Sequence, residues 1–249
     1  MNFTEEKLNI SRIAYDIDGV KLEGLIFKPE GVGTFPGVIF IHGHRSSAWE
    51  SSLFGYFLAN SGFAAFLPSQ MGYGLSQGSP DFCGPKTVNG IIRGIEIFLE
   101  QDFVDSTKTG IWGISRGATV AALVAIRKPE LFRAVVFQSG AYEMKRNFET
   151  TRIEAIKENI IKEAGTTEEA FKNRSPIYEM NEISFPVLIL HGEKDDRISV
   201  EQAGLLDEKL TELNKKHMTV ILPEKNHFIT KETRLTYTFP FLEKYLKRQ

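Results

Sequence analysis

The chain of 249 residues holds a single cysteine, Cys83, so no disulfide can form within it. Its fold must therefore stand on a hydrophobic core, and the thiol usage fits a reducing compartment. There is no apolar run near the roughly 20 residues that a membrane-crossing helix needs. Met1 to Lys7 lack the basic start and apolar stretch of a secretory leader, and a cytoplasmic location is expected. Excess charge is also missing. Lys and Arg number 30 against 32 Asp and Glu, a formal net charge of −2 without blocks of one sign, which argues against nucleic-acid and anionic-membrane partners. The five histidines lack the close spacing of a zinc site, and neither a metal nor a cofactor is expected. What is present is ordinary globular material, 42% hydrophobic and 25% charged, in a chain long enough to bury a substantial core.

Apolar and polar residues alternate over 8–28 around Asp18-Gly19, a hairpin signal. Pro36 to His42 is a nearly continuous apolar run, the pattern of a strand covered on both faces. A helix is predicted from Trp49 to Asn60, then a strand over Phe63 to Leu67, a glycine-rich loop from Met71 to Gly78, and an amphipathic helix carrying Val88, Ile91, Ile92 and Ile95. Further buried strands are predicted over Thr109–Trp112, Ala134–Phe137, Val187–Leu190 and Thr219–Leu222. Strands alternating with helices predict an α/β fold, a doubly wound and mostly parallel sheet fronted by an antiparallel hairpin. The alternation breaks between Gly140 and Pro186. There Ile153, Ile156, Ile160, Ile161 and Ala164 form a helical stripe, Gly165 ends it, and Thr166 with Glu169 resembles a capping box for a second short helix. This predicts a helical insertion at about 141–180 over one end of the sheet, with an ordinary crossover helix as the alternative. A C-terminal helix should be kinked or split at Pro240, which removes a backbone donor. With no repeat or linker, one domain over 1–249 is expected.

The stretch that carries chemistry is Gly113-Ile114-Ser115-Arg116-Gly117. With a predicted strand before it and a buried, Ala-rich helix after it, this G-x-S-x-G pattern is a nucleophile elbow, in which glycines let strand and helix approach while the serine is pushed outward. A serine hydroxyl is a weak nucleophile at neutral pH and needs a base within reach. In a parallel sheet, partners sit on loops at the carboxyl ends of strands. His227 follows the strand ending at Leu222, and Asp195 and Asp196 follow the one ending at Leu190. The chain order serine, acid, histidine is that of an α/β-hydrolase. Between the two aspartates the spacing after His191-Gly192 favours Asp195; Glu193 and Glu224 are fallback acids. The other histidines have simpler explanations: a turn or buried hydrogen bond for His42 and His191, the surface for His217. Cys83 lacks the elbow context of a nucleophile. The oxyanion formed on attack needs preorganised donors. The backbone N–H groups of Arg116, next to the nucleophile, and of His44, in the loop after the early strand, are the candidates.

These features resemble the α/β-hydrolase superfamily, and most of all the catalytic domains of the prolyl-oligopeptidase type with their small esterase relatives. The likeness covers nearly the whole chain. It is carried by His42-Gly43 after a strand, the loop Gly72 to Ser76, Gly113 to Gly117, Ser175-Pro176, His191 to Asp195, and His227. Two positions depart from the type: Met71 stands where an arginine is usual, and Asn89 where an aspartate is frequent. The resemblance implies a Ser115–His227–Asp195 triad and an acyl-enzyme intermediate. The length leaves no room for an N-terminal propeller, so the resemblance implies a serine hydrolase of small-molecule esters, like a carboxylesterase. An exopeptidase or amidase acting on short peptides is the alternative, and a non-catalytic ligand-binding homologue a second one. The insertion at 141–180 would then form a lid, with Tyr142, Met144, Phe148 and Phe171 as candidate pocket-lining residues or as lid–sheet packing.

Overall fold

Asp18 and Gly19 both take positive φ, 51° and 78°, the left-handed pair that a two-residue hairpin turn requires. They join β1 (Asn9–Ile17) to β2 (Val20–Lys28) in an antiparallel ladder. The computed structural model describes residues 9–247. The reading of Met1 to Lys7 as lacking a leader, and residue 8 of the predicted hairpin, lie outside them.

After the hairpin come β3 (Phe35–Ile41), α1 (Ser52–Asn60), β4 (Ala64–Pro68), α2 (Pro85–Leu99), β5 (Val104–Ile114) and α3 (Arg116–Arg127). The second half holds β6 (Ala134–Gln138), α4 (Met144–Thr150), α5 (Glu154–Glu163), α6 (Glu168–Lys172), β7 (Val187–Gly192), α7 (Glu201–Glu212), β8 (His217–Leu222) and α8 (Lys231–Leu246). The strands form one eight-stranded sheet in the order β1-β2-β4-β3-β5-β6-β7-β8. β1, β2 and β4 pair antiparallel, and everything from β4 through β3 to β8 pairs parallel. This is the mostly parallel sheet with an antiparallel hairpin that the alternating pattern predicts, and the α/β-hydrolase architecture that the resemblance implies.

Successive side chains of a strand point to opposite faces, and each central strand feeds two cores. Ile39, Ile41, Ile111, Val135, Phe137 and Ile189 pack under α2, α3 and α7, while Val38, Phe40, Trp112, Val136, Leu188 and Leu190 pack under α1 and α8. Burial on both faces explains why these strands read as unbroken apolar runs. The sheet therefore presents the carboxyl ends of β3, β5, β6, β7 and β8 side by side along one rim.

Some boundaries differ from the sequence reading. The helix predicted from Trp49 starts at Ser52, because residues 49–51 form a turn. Pro240 does not split the last helix: α8 is continuous, with Phe239, Phe241, Leu242 and Leu246 buried against the sheet. Packing on both sides of the proline outweighs its one missing hydrogen bond. In the insertion, Gly165 (φ 78°) does end α5, its N–H donating to Ile160 O and Ile161 O. Ile161, however, is exposed and falls outside the apolar stripe. The cap of α6 is Thr167 rather than Thr166: its side chain accepts the Ala170 N–H, so Glu169 is not the reciprocal partner of a capping box.

Candidate active site

Ser115 sits between β5 and α3 with φ 57° and ψ −127°, a conformation a side-chain-bearing residue holds only under constraint. The constraint is visible around it. A Cβ on Gly113 would lie 2.1 Å from Gly117 O, and one on Gly117 would lie 2.2 Å from Ile41 O. Only glycine at both positions lets the end of β5, the start of α3 and the end of β3 meet this closely. The Ser115 N–H donates to Gln138 O on β6 (2.8 Å), which fixes the turn from the other side.

The loops after β7 and β8 bring two side chains to this serine. The Ser115 hydroxyl lies 2.9 Å from His227 Nε2, and His227 Nδ1 lies 2.7 Å from Asp195 Oδ2. A carboxylate only accepts, so Nδ1 carries the proton and Nε2 is left to accept from the hydroxyl. Gly192 makes the approach possible: a Cβ there would stand 2.3 Å from Asn226 O, and Lys194 N donates to Lys225 O, pressing the two loops together. Asp195 is held further by the N–H groups of Arg197 and Ile198, both donating to Oδ1 at 2.9 Å. Burial alone would push its carboxyl up. The hydrogen bonds from His191 and His227, with the charge of His227, hold it well below the usual carboxylate range.

Of the competing acids, Asp196, Glu193 and Glu224 are exposed and none reaches His227. Arg197 does not pair with Asp196; its guanidinium lies over the Phe228 ring, 4.6 Å from the centroid. His191 is wholly buried, and its Nε2 stands 3.1 Å from Asp195 Oδ2 and 2.9 Å from Ile198 O. It braces the acid, a role its position at a strand end did not disclose, although its spacing of four from Asp195 was the available signal. His217, read as a surface residue, is half-buried on β8 beside Asp207, 3.2 Å away.

His42 is buried at the end of β3. Its Nδ1–H donates to Gly43 O (2.8 Å), and its Nε2 accepts the Gln70 N–H (2.9 Å). Burial drives its pKa down to about 4, so the ring is neutral at neutral pH, as that accepting role requires. Because a trans peptide points its C=O and N–H in opposite directions, anchoring Gly43 O turns the His44 N–H away from His42. Gly43 itself passes close to Ser115: a Cβ there would come within 3.4 Å of Ser115 Cβ. The Arg116 N–H, at the first residue of α3, has no partner within the helix.

Two small clefts flank Ser115. One, of about 90 Å³, runs under the insertion and is lined by Phe82, Cys83, Thr119, Ala141, Met144 and Ile156 among others. The other, of about 270 Å³, lies on the His227 side against Phe228, Ser51 and Arg234. Met144 is the one residue of the four expected at the pocket that reaches it. Tyr142 is completely buried, its ring 5.9 Å from that of Phe137, and Phe148 packs on Phe171 at 5.4 Å. These three hold the insertion onto the sheet and onto itself. Their aromatic area is used for burial because α4–α6 have little other core of their own. The sequence reading also missed Phe82 and Cys83, which the loop after Gly78 carries into the cleft with φ of 43° and 62°. Burial pushes the Cys83 thiol up to about 12, so it is a cleft wall rather than a nucleophile. Among the described residues no three His, Cys, Asp or Glu side chains converge to hold a metal ion, and none of the described helices is long and apolar enough to cross a membrane.

A sequence profile of the prolyl oligopeptidase family (peptidase family S9) matches residues 50–249. The chain is similar to "Uncharacterized peptidase YtmA" of Bacillus subtilis (strain 168), with 26% identity over 217 residues covering 84% of this chain and 82% of that one. It is also similar to the acylamino-acid-releasing enzyme of Homo sapiens, at 22% identity over 90% of this chain but only 32% of the larger protein. Among solved structures, acylaminoacyl peptidase of Pyrococcus horikoshii superposes with a TM-score of 0.83 at 20% identity, over 98% of this chain and 43% of that one. The chain thus spans most of one relative and under half of the larger ones. At that identity the structural likeness speaks for the fold.

Proposed function

The chain belongs to the prolyl oligopeptidase family, and from that premise we propose that this serine hydrolase is a peptidase of short substrates, working through an acyl-enzyme. The observation that carries the reading is the continuous hydrogen-bonded path from Ser115 through His227 to Asp195 at a strained elbow. In it, His227 takes the Ser115 proton as Oγ attacks the scissile carbonyl, and Asp195 orients the imidazole and stabilises its charged form. The N–H groups of Arg116 and His44 receive the oxyanion. His227 then protonates the leaving amine, and water repeats the sequence to release the acid. We read residues 1–249 as one α/β-hydrolase domain whose insertion at about 141–180 covers the acyl side as a lid.

The sequence alone leads with an ester substrate, and the relatives move that balance. The two relatives described above are named a peptidase and an acylamino-acid-releasing enzyme, which supports peptide bonds at least as well as esters. Ester cleavage stays the second reading, because the same residues serve it and the 90 Å³ cleft suits a small acyl group. A non-catalytic ligand binder has little support, since all three triad members are in hydrogen-bond contact. The single cysteine fits a cytoplasmic setting.

The test sets aminoacyl and N-acyl-aminoacyl p-nitroanilides beside p-nitrophenyl acetate and butyrate. Turnover of the anilides with kcat/KM at or above that of the esters is the expected result; ester turnover alone would select the second reading. A fluorophosphonate probe should label Ser115 in the wild type. Absence of labelling together with absence of turnover would leave only the ligand-binding alternative.

A further inference from the structure

The Arg116 side chain is an unusual occupant of its position. It follows the nucleophile directly, is 5% exposed, and its guanidinium lies between the rings of Tyr73 and Phe82, 5.1 and 4.8 Å from their centroids. Its Nη2 pairs with Glu163 at the end of α5, 2.8 Å away, and Nη1 donates to the Tyr73 hydroxyl at 2.7 Å. A guanidinium has only donors, so the Tyr73 oxygen accepts and its own hydrogen is free for His44 Nδ1, 3.2 Å away. Glu163 also accepts the Phe82 N–H (3.1 Å), and Asn159, one turn earlier on α5, stands 3.4 Å from His44 Nε2. The insertion is therefore tied to the loop after β3 by the Glu163–Arg116 ion pair and the hydrogen bonds from Arg116 to Tyr73 and from Tyr73 to His44, with Arg116 Nη1 itself 3.4 Å from His44 Nδ1.

That loop needs such support. His44 is exposed, and the turn it begins continues through Arg45 at φ 55°. Its N–H is useful only if it meets the oxyanion within about 2.7–3.1 Å. A buried ion pair adds little net stability over a well-packed apolar replacement, so stability alone is a weak reason for Arg116 and Glu163 to be paired here. Linked donors in a low-dielectric setting also polarise one another, which stiffens the whole linkage.

We propose that Glu163 is a positioning residue for the oxyanion step: through the Arg116 guanidinium and the Tyr73 hydroxyl it holds His44, and with it the backbone donor of that residue. The inference rests on the reading of the His44 and Arg116 N–H groups as the oxyanion donors. On this account, closing the insertion over the cleft and completing the oxyanion site are one event, because α5 supplies the far end of the linkage.

The experiment compares Glu163→Gln, Glu163→Asp and Tyr73→Phe with the wild type on p-nitrophenyl acetate and N-acetyl-alanine p-nitroanilide. Removing an oxyanion donor outright costs about 10²–10³ in kcat. Loosening one through Glu163→Gln should cost about 10–100-fold in kcat, with KM within about threefold. Tyr73→Phe should lose about tenfold, and Glu163→Asp should recover most of the wild-type rate. A boronic acid that forms a tetrahedral adduct should lose affinity in step with kcat. If Glu163→Gln does not fold, Tyr73→Phe, which removes one hydroxyl from a half-buried ring, decides. Folded variants with wild-type kcat, or with the whole loss in KM, would overturn the inference. Ser115→Ala separates the two levels. Turnover surviving in it removes the triad reading, whereas an inactive Ser115→Ala beside an unimpaired Tyr73→Phe removes the role of Glu163 alone.

Discussion

In the proposed reaction Ser115 is placed by a backbone that Gly113 and Gly117 permit and by two loops that bring Asp195 and His227 to it. On the proposed mechanism nucleophile, base and acid act as a unit, so Ser115→Ala should lower kcat by about 10⁶ with little change in melting temperature, as measured on whichever substrate the anilide and ester panel selects. His42 offers a prediction of a different kind. Its folded pKa is about 4 against roughly 6.5 in an unfolded chain, so between those values the unfolded state binds the extra proton. Stability should therefore fall as pH drops from 6.5 towards 4, by roughly 3 kcal/mol in all. Thermal unfolding at a series of pH values would show the slope, and His42→Gln should flatten it in that window. Asp195, held low, loses its contribution only below about pH 4, as its unfolded-state value is reached, so the two effects separate on the pH axis.

Elements set how accurately those residues meet. β5, α3 and the end of β3 are in backbone contact at the elbow, which leaves no room for even one methyl group. Gly113→Ala would place Cβ 2.1 Å from Gly117 O and 2.7 Å from Ala118 Cα, both backbone atoms that cannot swing away. A loss of about 3 kcal/mol or more in chemical denaturation, with activity falling alongside, is expected. Gly165→Ala, at the left-handed end of α5 with nothing within 4 Å of its Cβ, should cost only about 1 kcal/mol of local strain. The contrast between the two separates a steric requirement from a conformational one.

Across the whole molecule, the sheet's rim carries the catalytic candidates, and on the proposed reading the insertion at about 141–180 limits what can reach them. The clefts on either side of Ser115, about 90 and 270 Å³, are at or below the lower end of the usual 300–1,000 Å³ for ligand sites. Turnover of p-nitrophenyl esters should therefore decline steeply beyond butyrate, and casein should resist while di- to tetrapeptide anilides are cut. Equal rates on casein and short peptides, read by release of amino groups, would show that the insertion does not limit access.

How much of this was legible in the chain depended on how local the cause was. The doubly covered strands, the Asp18-Gly19 turn, the elbow glycines and the order of serine, aspartate and histidine follow from periodicity and from residues whose chemistry is particular to them. The sequence by itself determined that such a sheet would form and which side chains would stand along its rim. It could not decide that Tyr142, Phe148 and Phe171 would pack the insertion instead of lining the cleft, since a large aromatic satisfies either demand. Nor could it assign the side chain of Arg116 to Glu163, 47 positions later, or show that His191 braces Asp195. Those outcomes rest on which surfaces the crossovers bring face to face. They were settled only in three dimensions, where a buried charge must find its partner among whatever the fold places within reach.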